Sequence, residues 1–120
     1  MHIHETSGRR RTYRFSIDDD APLRKMFKHE LARMYFPLAA TDKSASDSLR
    51  YLLERARQDK GHLSDYDAHL CRDDGMIYLF DVLKDLGYSV CAQMITADQV
   101  AAILHFLGPF PDEEDLMPEA

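Results

Sequence analysis

Apolar and polar side chains alternate from Arg11 to Ile17, and this period of two predicts a β-strand near the start of the chain. The apolar face of that strand consists of Tyr13, Phe15 and Ile17. The opposite face offers the hydrogen-bonding side chains of Thr12, Arg14 and Ser16. Residues 1–10 have no apolar periodicity, so we expect a flexible arm there.

Two amphipathic helices are predicted after the strand. The first begins near Asp20, a good N-cap residue, has Pro22 in its first turn and ends before Pro37. Its apolar stripe is Leu23, Phe27, Leu31, Met34, Tyr35 and Leu38. The second helix has Ser46 as its predicted N-cap and ends at Gly61. Its apolar face consists of Leu49, Leu52, Leu53 and Ala56.

The second half of the chain is predicted to contain two more helices, a strand and a final helix. The two helices span about 64–72 and 76–86, and the strand spans about 88–94, where apolar and polar residues alternate again. Thr96 and Gln99 have the spacing of a capping box, which predicts the start of the last helix, and Gly108 ends it. We therefore expect an α+β fold that is mostly helical, with strand–helix–helix followed by helix–helix–strand–helix.

These elements suggest four segments along the 120 residues. They are a flexible arm (1–10), a strand–helix–helix unit (11–61), an acidic helical or α+β module (62–108) and an acidic tail (109–120).

The net charge of −6 hides an asymmetry between the two halves. Residues 1–60 hold 13 Lys and Arg against 9 Asp and Glu, whereas residues 61–120 hold 2 against 12. This split favours a basic surface for an anionic partner. The other explanation is that the halves attract each other within one fold. No apolar run is long enough for a transmembrane helix, and two isolated cysteines suggest a cytoplasmic protein with reduced thiols.

The alternating strand "TYRFSI" and the two helices after it resemble the ribbon-helix-helix family of DNA-binding proteins, which includes the Arc and Met repressors. The resemblance covers residues 9–60. It implies that the strand pairs with its twin in a second subunit and that this ribbon enters the DNA major groove. Thr12, Arg14 and Ser16 would then face the base edges. Arg14 suits guanine best, because its guanidinium fork matches two acceptors.

The polar start of the second helix, "KSASDSLRYLLERA", also resembles this family. A helix N-terminus binds phosphate through its free N–H groups, and such contacts fix the register on the duplex. The arginines 9–11 would add phosphate contacts from the arm. The candidate nucleic-acid-binding residues are Arg10, Thr12, Arg14, Ser16, Lys43, Ser44 and Ser46.

The expected function is a homodimeric, sequence-specific DNA-binding protein, of the repressor, antitoxin or plasmid-partition type. Its partners would be double-stranded DNA and itself, with the acidic C-terminal half available to a basic protein partner and no membrane contact. The alternative is a small acidic interaction or inhibitor protein, of the immunity or phage-encoded type. Pairing of residues 11–17 with residues 88–94, instead of with their own copy, would favour this alternative because a monomer would then suffice.

No catalytic signature stands out in the sequence, so an enzyme is not expected. His62, His69 and His105 are scattered, and Asp65 and Asp67 near His69 do not define a site without geometry. The N-terminal "MHIHE" is a weak metal-binding pattern at a chain end. Neither a metal nor another cofactor is expected.

Overall fold

The structure is a computed structural model that describes residues 2–59 and 75–111. This part of the chain has an α+β fold in which short antiparallel strand pairs are packed with helices. The strands are β1 (His2–Ser7), β2 (Thr12–Ile17), β3 (Met26–Phe27), β4 (Arg57–Asp59), β5 (Met76–Tyr78) and β6 (Met94–Ile95). The helices are α1 (Lys28–Tyr35), α2 (Asp42–Arg55), α3 (Leu79–Asp85) and α4 (Ala97–Leu107).

The N-terminal segment is a strand, so the prediction of a flexible arm over residues 1–10 is wrong for residues 2–7. β1 pairs with β2 in an antiparallel hairpin, with Glu5 opposite Arg14 and Ser7 opposite Thr12. The inward side of β1 carries His2, His4 and Thr6, which lie opposite the apolar residues of β2. This inward side is polar, which is why no hydrophobic period marked the strand.

The alternation predicted for β2 is confirmed. Tyr13, Phe15 and Ile17 are buried, whereas Thr12 and Arg14 are exposed. Helix α4 packs against this strand, and the His105 ring lies 5.5 Å from the Phe15 ring. The apolar face is therefore covered within one chain. β2 pairs with β1 of the same chain and not with residues 88–94, and the specific ribbon-helix-helix arrangement is not confirmed.

The first helix starts later than the sequence predicts. Residues 18–25 form turns, in which Leu23 N–H donates to the Ala21 carbonyl and Arg24 N–H to the Pro22 carbonyl. The next two residues form β3, which pairs with β6 and places Met26 opposite Ile95. This long-range pairing overrides the local helix signals at Asp20 and Pro22. Helix α1 begins only at Lys28.

The second helix, in contrast, begins and ends earlier than predicted. Thr41, and not Ser46, is its N-cap: the Thr41 hydroxyl accepts a hydrogen bond from Ser44 N–H at 3.0 Å. The helix ends at Arg55, where the chain turns into β4. The predicted stop at Gly61 and the predicted helix over 64–72 lie outside the described residues.

The second half differs from the prediction in its first elements and agrees in its last. Met76–Tyr78 is a strand paired with β4, so the helix predicted from residue 76 begins at Leu79. Of the strand predicted over 88–94, only Met94 belongs to a strand; the residues before it form turns. The capping box of Thr96 and Gln99 is confirmed, as is the end of α4 at Gly108, whose φ of +81° suits glycine.

One hydrophobic core joins both halves of the described chain. Its buried side chains come from β2, α1 and α2 on one side of the predicted boundary at residue 61 and from α3, β6 and α4 on the other. α1 packs on α2, α3 contacts both α2 and α4, and α4 covers β2. No helix within residues 2–59 and 75–111 is long and apolar enough to cross a membrane.

Candidate nucleic-acid interface

The arginine run lies in the tight loop that joins β1 to β2. Residues 8–11 form this loop, which is closed by a hydrogen bond of 2.6 Å from Gly8 N–H to the Arg11 carbonyl. Arg9 and Arg10 are exposed. We call residues 8–11 the arginine tip. Because the loop is closed, these guanidinium groups project from a folded turn and not from a free arm.

Asp85, the last residue of α3, fixes the shape of the arginine tip. Its carboxylate is buried and accepts hydrogen bonds from the backbone N–H groups of Arg10 (2.8 Å) and Arg11 (3.3 Å) and from the Tyr13 hydroxyl (2.6 Å). The Asp85 carbonyl also accepts a bond of 2.9 Å from Arg9 N–H. A buried carboxylate requires such donors. Here two of them are backbone N–H groups of the loop and one is the Tyr13 hydroxyl of β2, so the carboxylate ties the arginine tip to α3.

Gly8 allows the loop to approach Asp85 this closely. A Cβ atom at residue 8 would lie 2.3 Å from Asp85 Oδ2 and 3.0 Å from the Tyr13 ring. Both distances are well inside van der Waals contact. Lack of space therefore explains the glycine at this position.

We call the β1–β2 hairpin the ribbon, and its solvent-exposed side the open face. On this open face, Arg14 lies beside Glu5. Arg14 Nε lies 3.1 Å from Glu5 Oε1, and the two side chains are 60% and 63% exposed, respectively. An ion pair in such contact with water contributes little free energy. Arg14 can therefore exchange Glu5 for a phosphate or a base edge at small cost. The Ser7 and Thr12 hydroxyls lie 3.5 Å apart on the same face.

The structure divides the seven predicted residues between two parts of the fold. Arg10, Thr12, Arg14 and Ser16 lie on the β1–β2 hairpin, although Ser16 is half-buried and its N–H donates to His105 Nδ1 at 3.0 Å. Lys43, Ser44 and Ser46 lie on α2, which packs on α1 and α3, whereas the hairpin packs on α4. The four hairpin residues therefore form one group, and the three residues on α2 lie in a different part of the fold.

The three α2 residues have different surroundings. Lys43 is 88% exposed and lies 3.6 Å from Asp47, one turn along the helix. Ser44 gives its backbone N–H to the cap at Thr41. Ser46 is half-buried and lines a small cavity with Lys28 and Arg50.

The two N-terminal histidines belong to the ribbon. His4 Nε2 lies 2.8 Å from Asp98 Oδ1 in the first turn of α4, which ties β1 to that helix. Among the described residues, no three His, Cys, Asp or Glu side chains are grouped so that they could hold a metal ion. Of the two histidines, His4 connects β1 to α4 and His2 is exposed.

The described residues are almost neutral in total. They contain 13 Lys and Arg and 12 Asp and Glu, so the other nine acids of the chain lie in residues 60–74 and 112–120. The prediction that an acidic C-terminal half binds a basic partner thus depends mainly on residues outside the described part.

Sequence reasoning missed Asp85, Glu5 and Gly8. One local signal was present for the hairpin: "HIHETS" and "TYRFSI" flank four residues that begin with glycine, a spacing typical of hairpins. No local signal connects Asp85 to the tip, because about 75 residues separate it from Arg10.

Comparison of this chain with protein families, with curated proteins and with solved structures finds no match. The likeness to the ribbon-helix-helix family therefore rests on the residue pattern of residues 9–60 alone.

Proposed function

We propose that this protein binds double-stranded DNA through the β1–β2 ribbon and its arginine tip. The observation that supports the proposal is a two-stranded ribbon whose apolar face is covered by α4 and whose open face and tip present Arg9, Arg10 and Arg14. A two-stranded β-ribbon has the width that the DNA major groove admits. Exposed guanidinium groups bind phosphates and guanine edges.

The tip and the open face have different tasks in this proposal. Arg9 and Arg10, held by the backbone bonds to Asp85, contact phosphates and fix the position of the ribbon. Arg14 and Thr12 point from the middle and the start of β2 toward the base edges. The ribbon is built within one chain, so a single protomer has a complete binding element. A regulatory role of the repressor, antitoxin or plasmid-partition type remains part of the proposal.

Fluorescence anisotropy with a labelled duplex of about 20 base pairs tests this proposal, measured over a series of salt concentrations. The variant Arg9→Ala/Arg10→Ala removes two tip charges. Its matched control, Arg50→Ala/Arg55→Ala, removes two charges from α2. We expect the tip variant to bind about tenfold more weakly, and its slope of log affinity against log salt to be smaller by about two. The control should bind like the unchanged protein.

Two results would contradict the proposal. One is absence of duplex binding even at low salt. The other is an equal loss in the tip variant and in the α2 control, because that would mean that net charge alone drives binding. The test of base contact is Arg14→Lys, which keeps the charge and loses the two-pronged fork. In selection from a random duplex pool, the unchanged protein should enrich guanine at one position and Arg14→Lys should not.

A further inference from the structure

An exposed pair of stacked rings lies at the start of α1. The Phe27 and His29 rings have centroids 5.3 Å apart and planes within 14° of parallel. Phe27 is 41% exposed, and its partner across the β3–β6 pair, Met94, is 37% exposed. Phe27 is therefore not a core residue: its ring stacks on the neighbouring His29 ring and remains partly exposed to solvent. We call Phe27, His29 and Met94 the ring platform.

The backbone under the ring platform is fixed. Glu30 Oε1 accepts a hydrogen bond of 3.3 Å from Phe27 N–H, while its other oxygen lies 3.2 Å from Arg24. Lys28 anchors the neighbouring turn: its Nζ donates to the Ser89 and Val90 carbonyls at 2.7 and 3.0 Å. The platform is therefore held in place without a ligand, which lowers the entropy lost on binding.

The charges around the ring platform are mainly positive. The segment "RKMFKHE" (24–30) contributes three cations and one acid, and the facing turn 87–96 contains no charged residue. Lys25 is exposed beside the platform. One further acid, Asp42, interacts electrostatically with His29, but its carboxylate accepts a hydrogen bond of 2.8 Å from Arg33 Nε. Asp18 and Asp20 instead line a cavity of about 430 Å³ with Gly108 and Phe110.

We propose that the ring platform binds an unpaired nucleobase of single-stranded nucleic acid. Such a ligand combines the two features that this surface complements, a flat aromatic face for Phe27 and a phosphate backbone for Arg24 and Lys25. Base stacking on aromatic side chains together with a basic surface is the general basis of single-strand binding. The site is separate from the arginine tip and does not depend on duplex binding there.

Tryptophan fluorescence tests this proposal, because the chain has no tryptophan of its own. Phe27→Trp places one reporter in the platform, and Tyr51→Trp is the control, since Tyr51 is an exposed aromatic residue of α2. The probe is oligothymidylate of about ten nucleotides. We expect oligothymidylate to quench the emission of Phe27→Trp and to leave that of Tyr51→Trp unchanged. Heparin, a polyanion without bases, should quench neither variant.

A second measurement uses the anisotropy of labelled oligothymidylate with Phe27→Leu, which keeps an apolar side chain and removes the ring. We expect about 5- to 100-fold weaker binding, and no change for Tyr51→Leu. Equal binding of oligothymidylate by Phe27→Leu and Tyr51→Leu would overturn the proposal, and so would the absence of any oligonucleotide binding. In the fluorescence assay, quenching of Phe27→Trp emission by heparin would overturn it as well. Stronger quenching by an acidic apolar peptide than by oligothymidylate would overturn it in favour of a protein partner.

The two proposals fail separately. Quenching of Phe27→Trp without any duplex binding would support the ring platform and contradict the DNA-binding ribbon. Duplex binding that depends on the arginine tip, without quenching, would support the ribbon and contradict the platform.

Discussion

Removal of the Asp85 carboxylate should destabilise the fold through the hairpin loop. Asp85 is 7% exposed, and its carboxylate accepts bonds from the Arg10 and Arg11 N–H groups and the Tyr13 hydroxyl. A hydrogen bond to a charged group contributes roughly 1.5–3 kcal/mol, and a buried donor left without a partner costs about 1–3 kcal/mol. Desolvation of the carboxylate offsets part of this sum. We expect Asp85→Ala to lower the free energy of unfolding by about 3 kcal/mol.

Urea unfolding followed by circular dichroism measures this loss. Tyr13→Phe removes one of the three bonds and should cost about 1–2 kcal/mol, and the two changes together should cost less than their sum. Gly8→Ala should cost about 2 kcal/mol because its Cβ would collide with the same carboxylate. Asp47→Ala, at an exposed site on α2, is the control and should change stability by less than about 0.5 kcal/mol. A loss below about 1 kcal/mol for Asp85→Ala would refute this account of the loop.

Three further predictions concern charge, pH and assembly. Glu5→Gln should strengthen duplex binding about two- to fivefold in the anisotropy assay, because it removes the acid beside Arg14, whereas Glu54→Gln on α2 should have no effect. Burial raises the pKa of Tyr35 well above its ordinary value of 10.0, so the stability that Tyr35 contributes is complete below pH 10.0 and is lost as the pH rises further. Thermal melts should therefore show a smaller alkaline loss for Tyr35→Phe than for Tyr51→Phe, and equal losses would contradict this cause. Because α4 covers β2 within one chain, the melting temperature should not change between about 1 and 100 μM protein, and a rise with concentration would indicate that folding requires a dimer.

Elements with strong local signals could be predicted from the sequence. The alternation of β2 fixed which side chains are buried, and the capping box at Thr96 fixed the start of α4. Both signals depend on neighbours within a few residues. The same holds for the exposed face of β2, so Thr12 and Arg14 were correctly placed on the side open to a ligand.

Elements decided by distant partners could not be predicted in this way. The inward side chains of β1 are polar, and its place depends on β2 and on the contact between His4 and Asp98. Met26 joins β3 because Ile95 lies opposite, which delays the start of α1 despite good capping residues upstream. Strand pairing and tertiary packing outweigh local preferences of a few tenths of a kcal/mol per residue.

The candidate site shows the same limit. Arg10 was predicted as a mobile contact, but its position depends on Asp85 at the end of α3. The exposed stacking of Phe27 and His29 was also missed, because periodicity assigned Phe27 to the buried stripe of a longer helix. Pairing of β3 with β6 moves Phe27 out of that stripe.

The central claim is that duplex DNA contacts the arginine tip and the open face of the ribbon. Titration of the isotope-labelled full chain with an unlabelled duplex, followed by amide chemical shifts in NMR, tests it most directly. We expect the largest shift changes in residues 8–14, with little change at the start of α2. Shift changes confined to other parts of the chain, or none at low salt, would contradict the account.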